Sequence, residues 1–242
     1  MLRVNGMGLF DFLKKENSID IYYSEFKNGN FQNKKEFAKC FLNNYDKQVF
    51  ITGCQTFAAI CTHEDFELLN DFFASADEEH LQVFLTYVSE SLSLQSIPYL
   101  LALLEKWEDT EIGIRIHQLI MEMLGKHCDE EIADAEECGR EFVEFSKTHD
   151  LQKYYFKGQV VNYGGLCKEL IMIVMSCKNA NKPFFAGILS DILSNSFGIE
   201  CPVKGGDTVT DHTVAQIFEF VKKIADINPE PGAKYYFGKK IG

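Results

Sequence analysis

The chain has few of the features that usually announce a chemistry. Its 242 residues include five prolines, one tryptophan and six histidines. Eight cysteines, at positions 40, 54, 61, 128, 138, 167, 177 and 201, are scattered with no Cys-x-x-Cys pair. That spacing argues against a zinc site or a disulfide framework. Cys167 and Cys177 flank an apolar run, where a free thiol behaves as a small hydrophobe. This run, Leu170–Met175, has the length of a buried segment, too short to cross a bilayer. Charged residues interrupt Met7–Lys15 before a secretory core can form. A cytosolic protein is therefore expected.

Catalytic constellations are equally scarce. A di-iron bundle needs Glu-x-x-His pairs, yet His80 follows Asp77 at that offset and His117 follows Ile114. His127 supplies no such pair either. There is no Gly-x-Ser-x-Gly elbow, and no cysteine stands in a nucleophile motif. Cys167, after Gly164-Gly165-Leu166, reads as a buried structural thiol among Leu166, Leu170 and Ile171. Lys204-Gly205-Gly206-Asp207 lacks phosphate-loop spacing and reads as a turn before a capped helix. No cofactor, metal or catalytic residue is expected, and the chain reads as a non-enzyme. A hydrolase or metal enzyme would need a cleft gathering His80, His117 or His127 with carboxylates.

Present instead is negative charge, unevenly spread. The chain carries 36 acidic and 24 basic residues, a net −12. Residues 61–150 hold 22 Asp or Glu against 5 Lys or Arg, a balance of −17, and the remainder balances at +5. Such a slab disfavours nucleic acid and anionic membrane and favours a basic protein partner. A solvated helical surface kept soluble by like charge explains the same numbers. Asp129, Glu130, Glu131, Asp134, Glu137 and Glu141 fall at helical spacing, so one helix face is read as largely carboxylate. Trp107 adjoins Glu108 and Asp109 at a turn between helices. An aromatic rimmed by acids suits an interface, and a Trp packing one helix pair on the next suits the same position. Trp107, Glu108, Asp109, Asp129, Glu130, Glu131, Asp134 and Glu137 are the candidate partner-binding residues.

The hydrophobic periodicity is helical from Lys34 onward. Helices are expected near Lys34–Tyr45, Phe50–Cys61, His63–Ala74, Glu78–Leu92, Ser96–Glu105, Glu111–Lys126 and Asp129–His149. Start signals are Thr62 or His63, Ser75 or Asp77, and Asp109 or Thr110, each before acidic residues. Further helices are expected near Tyr163–Cys177, Lys182–Phe197 and Asp211–Ile227. Met1–Gly6 reads as a misplaced start or extension before MGLFDFLKK, where Phe10 and Leu13 suggest a short amphipathic helix. Ile19–Phe26, aromatic and β-branched, is expected as a short strand or an irregular packed segment. Composition changes near residue 150, after which glycines cluster and two similar triplets, Tyr154-Tyr155-Phe156 and Tyr235-Tyr236-Phe237, occur. The expected organisation is a segment 1–33, an acidic helical region 34–150 and a helical region 151–242, within one continuous unit.

Two resemblances add to this. Ser96–Leu124, with Pro98 and leucines in its first helix, Asp109 in its turn and Arg115 early in its second, resembles a HEAT-type hairpin with one extra turn residue. The predicted fold is accordingly all-α, an irregular HEAT-like superhelical array of antiparallel helices with a helical carboxy-terminal portion. The whole chain resembles the immunity proteins of bacterial polymorphic-toxin systems, and among them family 47. The MGLFDFLKK start, the acidic middle, and the Tyr154-Tyr155, Asn162-Tyr163-Gly164, Cys201-Pro202 and Pro231-Gly232-x-x-Tyr235-Tyr236-Phe237-Gly238 segments carry this likeness. It implies a cytosolic, non-enzymatic protein that binds and neutralises one cognate toxin, expected here to be basic. The alternative is a helical scaffold or adaptor for another cytosolic protein.

Overall fold

The computed structural model describes residues 19–42, 44, 46–128 and 133–241; the MGLFDFLKK expectation and Asp129, Glu130 and Glu131 lie outside them. The chain is all-α, with two small antiparallel hairpins as its only named sheets among the described residues.

Residues 19–27 are helical (α1), not a strand or irregular segment as their composition suggests. Ile19, Tyr22, Tyr23 and Phe26 recur at three-to-four spacing and pack into the core. A single apolar stripe on the 3.6 period outweighs the β-preference of its members. Phe26 meets Phe37 edge-on at 5.2 Å. Phe37 and Phe41 belong to α2 (Lys34–Leu42). In α3 (Lys47–Ile60), capped by the Asp46 carboxylate on the Gln48 and Val49 N–H groups, Gly53 lies against Phe41. A Cβ at Gly53 would stand 2.3 Å from that side chain, so glycine lets the two helices approach.

The next two expected helices are shorter and broken. A 3₁₀ turn, Asp65–Leu69, leads into α4 (Asn70–Ser75), and α5 (Glu78–Tyr87) runs out in a second, Val88–Ser91. Thr62 does not cap: its own N–H and Oγ1 donate to the Asp65 carboxylate, which also takes Lys34. Asp77 caps α5 by accepting from His80 N–H. Then α6 (Ile97–Trp107), with Pro98 in its first turn, pairs with α7 (Glu111–Met123) across a three-residue turn, and α8 (Ala135–Thr148) packs on both. Short connections between such helices make antiparallel neighbours.

After α8 each aromatic triplet enters a hairpin. Strands β1 (Tyr155–Phe156) and β2 (Gln159–Val160) are joined by Lys157-Gly158, and β3 (Lys234–Tyr236) and β4 (Lys239–Ile241) by Phe237-Gly238. Both turn pairs have positive φ, at 48° and 71° and at 47° and 74°, the backbone of a type I′ turn. Each tip latches onto a helix exit. Gly158 N–H donates to Met123 O at 2.9 Å, and Phe237 and Gly238 N–H donate to Asn195 and Ser196 O, both at 2.8 Å. Carbonyls left unpaired at a helix C-terminus are thereby satisfied.

Between the hairpins lie α9 (Tyr163–Ala180), α10 (Gly187–Phe197) and α11 (Asp211–Ile227), with Asn162 capping α9 and Thr210 closing a capping box on α11. The expected start at Lys182 is wrong by five residues. Pro183 bridges Thr208, Phe184 N–H donates to Asp207 O and Gly206 N–H to Phe184 O, which holds Pro183 and Phe184 against residues 206–208 instead of in a helix.

Two clusters are buried: one among α1–α8, the other chiefly among α9–α11. The second hairpin crosses between them, since Tyr236 and Ile241 join the first cluster and Tyr235 packs on the second. Lys234, 1% exposed, reaches back 176 positions to donate from Nζ to Ala58 O at 2.7 Å and to Cys61 O at 2.8 Å, at the end of α3. A cation there meets the negative end of the helix dipole, although burial holds the ammonium below the usual lysine range.

Candidate partner-binding surface

The α6–α7 turn is built around one carbonyl. Trp107 O accepts from Thr110 N–H at 3.0 Å and from Thr110 Oγ1 at 2.6 Å, and Thr110 Oγ1 accepts from Gly113 N–H at 3.2 Å. A Cβ at Gly113 would fall 2.2 Å from Trp107 O, so only glycine lets α7 start this close. Trp107 is half-buried against the core, its Nε1 enclosed without a hydrogen-bond partner, and the Lys106 ammonium lies 5.8 Å from its ring centre. Glu108 is exposed, yet its Oε1 accepts from Ala135 N–H at 3.1 Å, the first residue of α8. The two helix starts are thus tied together.

At the α8 start the Asp134 carboxylate accepts from Glu137 N–H at 2.8 Å, and Asp134 N–H donates to Nδ1 of His117 at 2.8 Å. His117, 1% exposed, therefore carries its ring proton on Nε2, which faces Glu137 Oε2 at 3.6 Å. The structure so gathers Trp107, Glu108, Asp109, Asp134 and Glu137 at one edge. Exposed Glu111 and Glu136 belong to the first turns of the same two helices. Carboxylates at helix N-termini gain about 0.3–1 kcal/mol each from the dipole, which accounts for part of this placement without any partner.

The reading of a continuous carboxylate helix face needs correction. Among the described residues α8 begins at Ala135, and Asp134 is its cap rather than a member of its face. Farther along, Glu141 pairs with Lys126, Glu136 with Arg140 and Glu144 with Lys147, so compensation is greater than the local count suggests.

The histidines are engaged locally. His80 Nδ1 bonds the Asp77 carboxylate at 2.7 Å, His117 is enclosed, and His127 is exposed after α7. His63 stacks 4.4 Å from the Tyr154 ring, bonded to Ser93 Oγ and Gln152 O, and burial pushes its pKa down. Among the described residues no group of three or more His, Cys, Asp or Glu could hold a metal ion. Burial pushes the Cys167 and Cys201 thiols up to about 11 and Cys138 to about 12, which keeps them protonated and poorly nucleophilic. Lys204–Asp207 is a plain turn, closed by Asp207 N–H on Lys204 O. No helix of the described residues is long and apolar enough to cross a membrane.

One feature escapes the sequence entirely: an apolar-walled groove of about 480 Å³ beside the first hairpin, with Phe185 at its mouth. Phe185 is 73% exposed whereas Phe184 is 1% exposed, and nothing in the dipeptide distinguishes them.

No curated protein and no solved structure matches the chain. The family Immunity protein 47 matches residues 13–241, nearly the whole length. By that match the chain belongs to the Immunity protein 47 family.

Proposed function

We propose that the chain protects its host by binding one cognate toxin and covering the toxin's substrate site, with the acidic edge at the α6–α7 turn and the start of α8 as a contact surface. The family supports immunity in general; the observation behind this mode of action is the −17 balance of residues 61–150. Trp107, Glu108, Asp109, Asp134 and Glu137 share this edge, and Asp129, Glu130 and Glu131 precede Asp134 in sequence. The partner is then a toxin domain with a basic face. Opposite fields accelerate encounter and make it salt-sensitive, while enclosed contacts such as an aromatic anchor set the lifetime of the complex. Protection needs no bond-making by this chain.

The test is co-expression with the toxin encoded beside this gene, with association measured at several ionic strengths. Asp109→Lys, Glu111→Lys and Glu136→Lys reverse exposed charges without removing a helix cap. Together they should slow association by about tenfold or more at low salt and abolish protection. Full protection by the triple variant, or association indifferent to salt, would refute the acidic edge as the contact.

A further inference from the structure

The groove beside the first hairpin is assembled from six places in the chain: Ser89, the end of α7, the hairpin, α9, the run that opens α10, and Gly205. Met123, Phe156, Ile173 and Leu189 form apolar walls, with Phe185 and Ile188 at the mouth. A volume of about 480 Å³ is in the range that accepts one or two large side chains.

It is held open by backbone. Gly125 and Gly158 fit the α7 exit against the hairpin so closely that a Cβ at Gly158 would stand 2.5 Å from Leu124 O. On the other side Phe184 and Gly206 are bonded to each other, which fixes Phe184 inward and leaves Phe185 outward. Phe185 is 73% exposed and Ile188 39%. Large apolar side chains gathered around a concavity mark an interaction site more than scattered ones do.

The polar groups describe the guest. Lys157 Nζ lies 3.7 Å from Glu122 and 3.9 Å from Glu169, with the Phe156 ring centre 5.3 Å away. Two carboxylates against one ammonium leave a negative rim around an apolar hole. Ser89 adds a polar residue to the lining. Helix α7 carries the acidic edge at one end and this rim at the other, about 20 Å away at 1.5 Å per residue. That separation fits within one interface of ordinary size.

We infer that the groove receives an apolar side chain flanked by lysine or arginine on the toxin, and anchors the complex there. This rests on the reading of the chain as a toxin-binding protein. The test is calorimetric titration of the full chain with the toxin domain encoded beside its gene, together with sedimentation of the chain alone. Phe185→Ser removes the exposed ring at the mouth, and Gly205→Leu, whose Cβ would have Gly187 Cα at 3.7 Å, fills the mouth. Each should weaken binding by about tenfold or more, mainly through faster dissociation, with the thermal midpoint unchanged. Should Gly205→Leu not fold, Phe185→Ser alone decides. Affinity within about twofold of the unaltered chain, while the triple lysine variant loses binding, overturns the groove and leaves the proposed function standing. A dimer of the chain alone that Phe185→Ser dissociates puts a second copy in the groove and overturns the inference as well. No binding by the unaltered chain overturns the toxin-binding reading itself.

Discussion

The two hairpins offer a controlled measurement, because Gly158 and Gly238 occupy the same position of the same turn type and differ in what lies beside them. Their φ values are 71° and 74°. A methyl group at Gly238 would meet nothing within 4 Å, whereas at Gly158 it would meet Leu124 O at 2.5 Å, Leu124 C at 2.8 Å and Gly125 Cα at 2.9 Å. Gly238→Ala should lose only the left-handed backbone penalty, about 1 kcal/mol. Gly158→Ala bears that penalty and must also push the hairpin off α7. The displacement loses the Gly158 N–H bond to Met123 O, about 1 kcal/mol, and strains the packing by about 1–2 kcal/mol more. The predicted difference is about 2–3 kcal/mol. In a domain of 150–250 residues that separates the two midpoints by about 4–12 °C. Thermal melts by circular dichroism, repeated in urea, make the comparison. Equal losses would show that the α7 exit yields to the hairpin, and the close approach would carry no energetic weight.

Two buried titratable groups make further predictions. Glu90 is 3% exposed with Oε2 unpartnered, and burial, reinforced by Asp191, holds its carboxyl well above the usual range. The folded state then keeps a proton that the unfolded chain releases near the ordinary glutamate value, so stability falls as pH rises above that value. Glu90→Gln should match the unaltered chain in acid and exceed it at neutral pH, as urea midpoints across pH would show; parallel pH curves would be contrary. Lys234→Met should lower stability by about 2–4 kcal/mol, because Ala58 O and Cys61 O lose their donor. Burial lowers the Lys234 pKa, so the unfolded chain binds the extra proton below the ordinary lysine value. The stability advantage of the unaltered chain over the variant should therefore grow with pH up to that value; a constant difference in urea unfolding would contradict it.

Much of the helical framework was legible because each helix carries its own signals. Asp211–Ile227 has a capping threonine before it and an apolar stripe within it, and its observed ends agree with the expected ones. The caps of α5 and α7 were narrowed to Ser75 or Asp77 and to Asp109 or Thr110, and the structure uses Asp77 and Thr110. Misreadings arose where distant residues decided. The extended backbone at Pro183 depends on Thr208, and the 19–27 helix depends on a core that pulls one stripe inward. Lys-Gly and Phe-Gly between aromatic and polar residues were turn signals that could have revealed the hairpins. Of the candidate surface, the net charge was visible in composition. Which acids cap helices was not, since the roles of Glu108 and Asp134 follow from where α8 begins. Nothing local could have disclosed the groove.

The Lys234 contact bears on synthesis. Ala58 and Cys61 leave the ribosome long before Lys234 does, so the exit of α3 stays uncapped while some 170 further residues are translated. The first bundle can condense early, but its closing bond arrives from the far side of the second. An elongating chain thus spends most of its translation time in an unlatched form, and a cell depending on this molecule for protection has a lag between the start of translation and a fully fastened product.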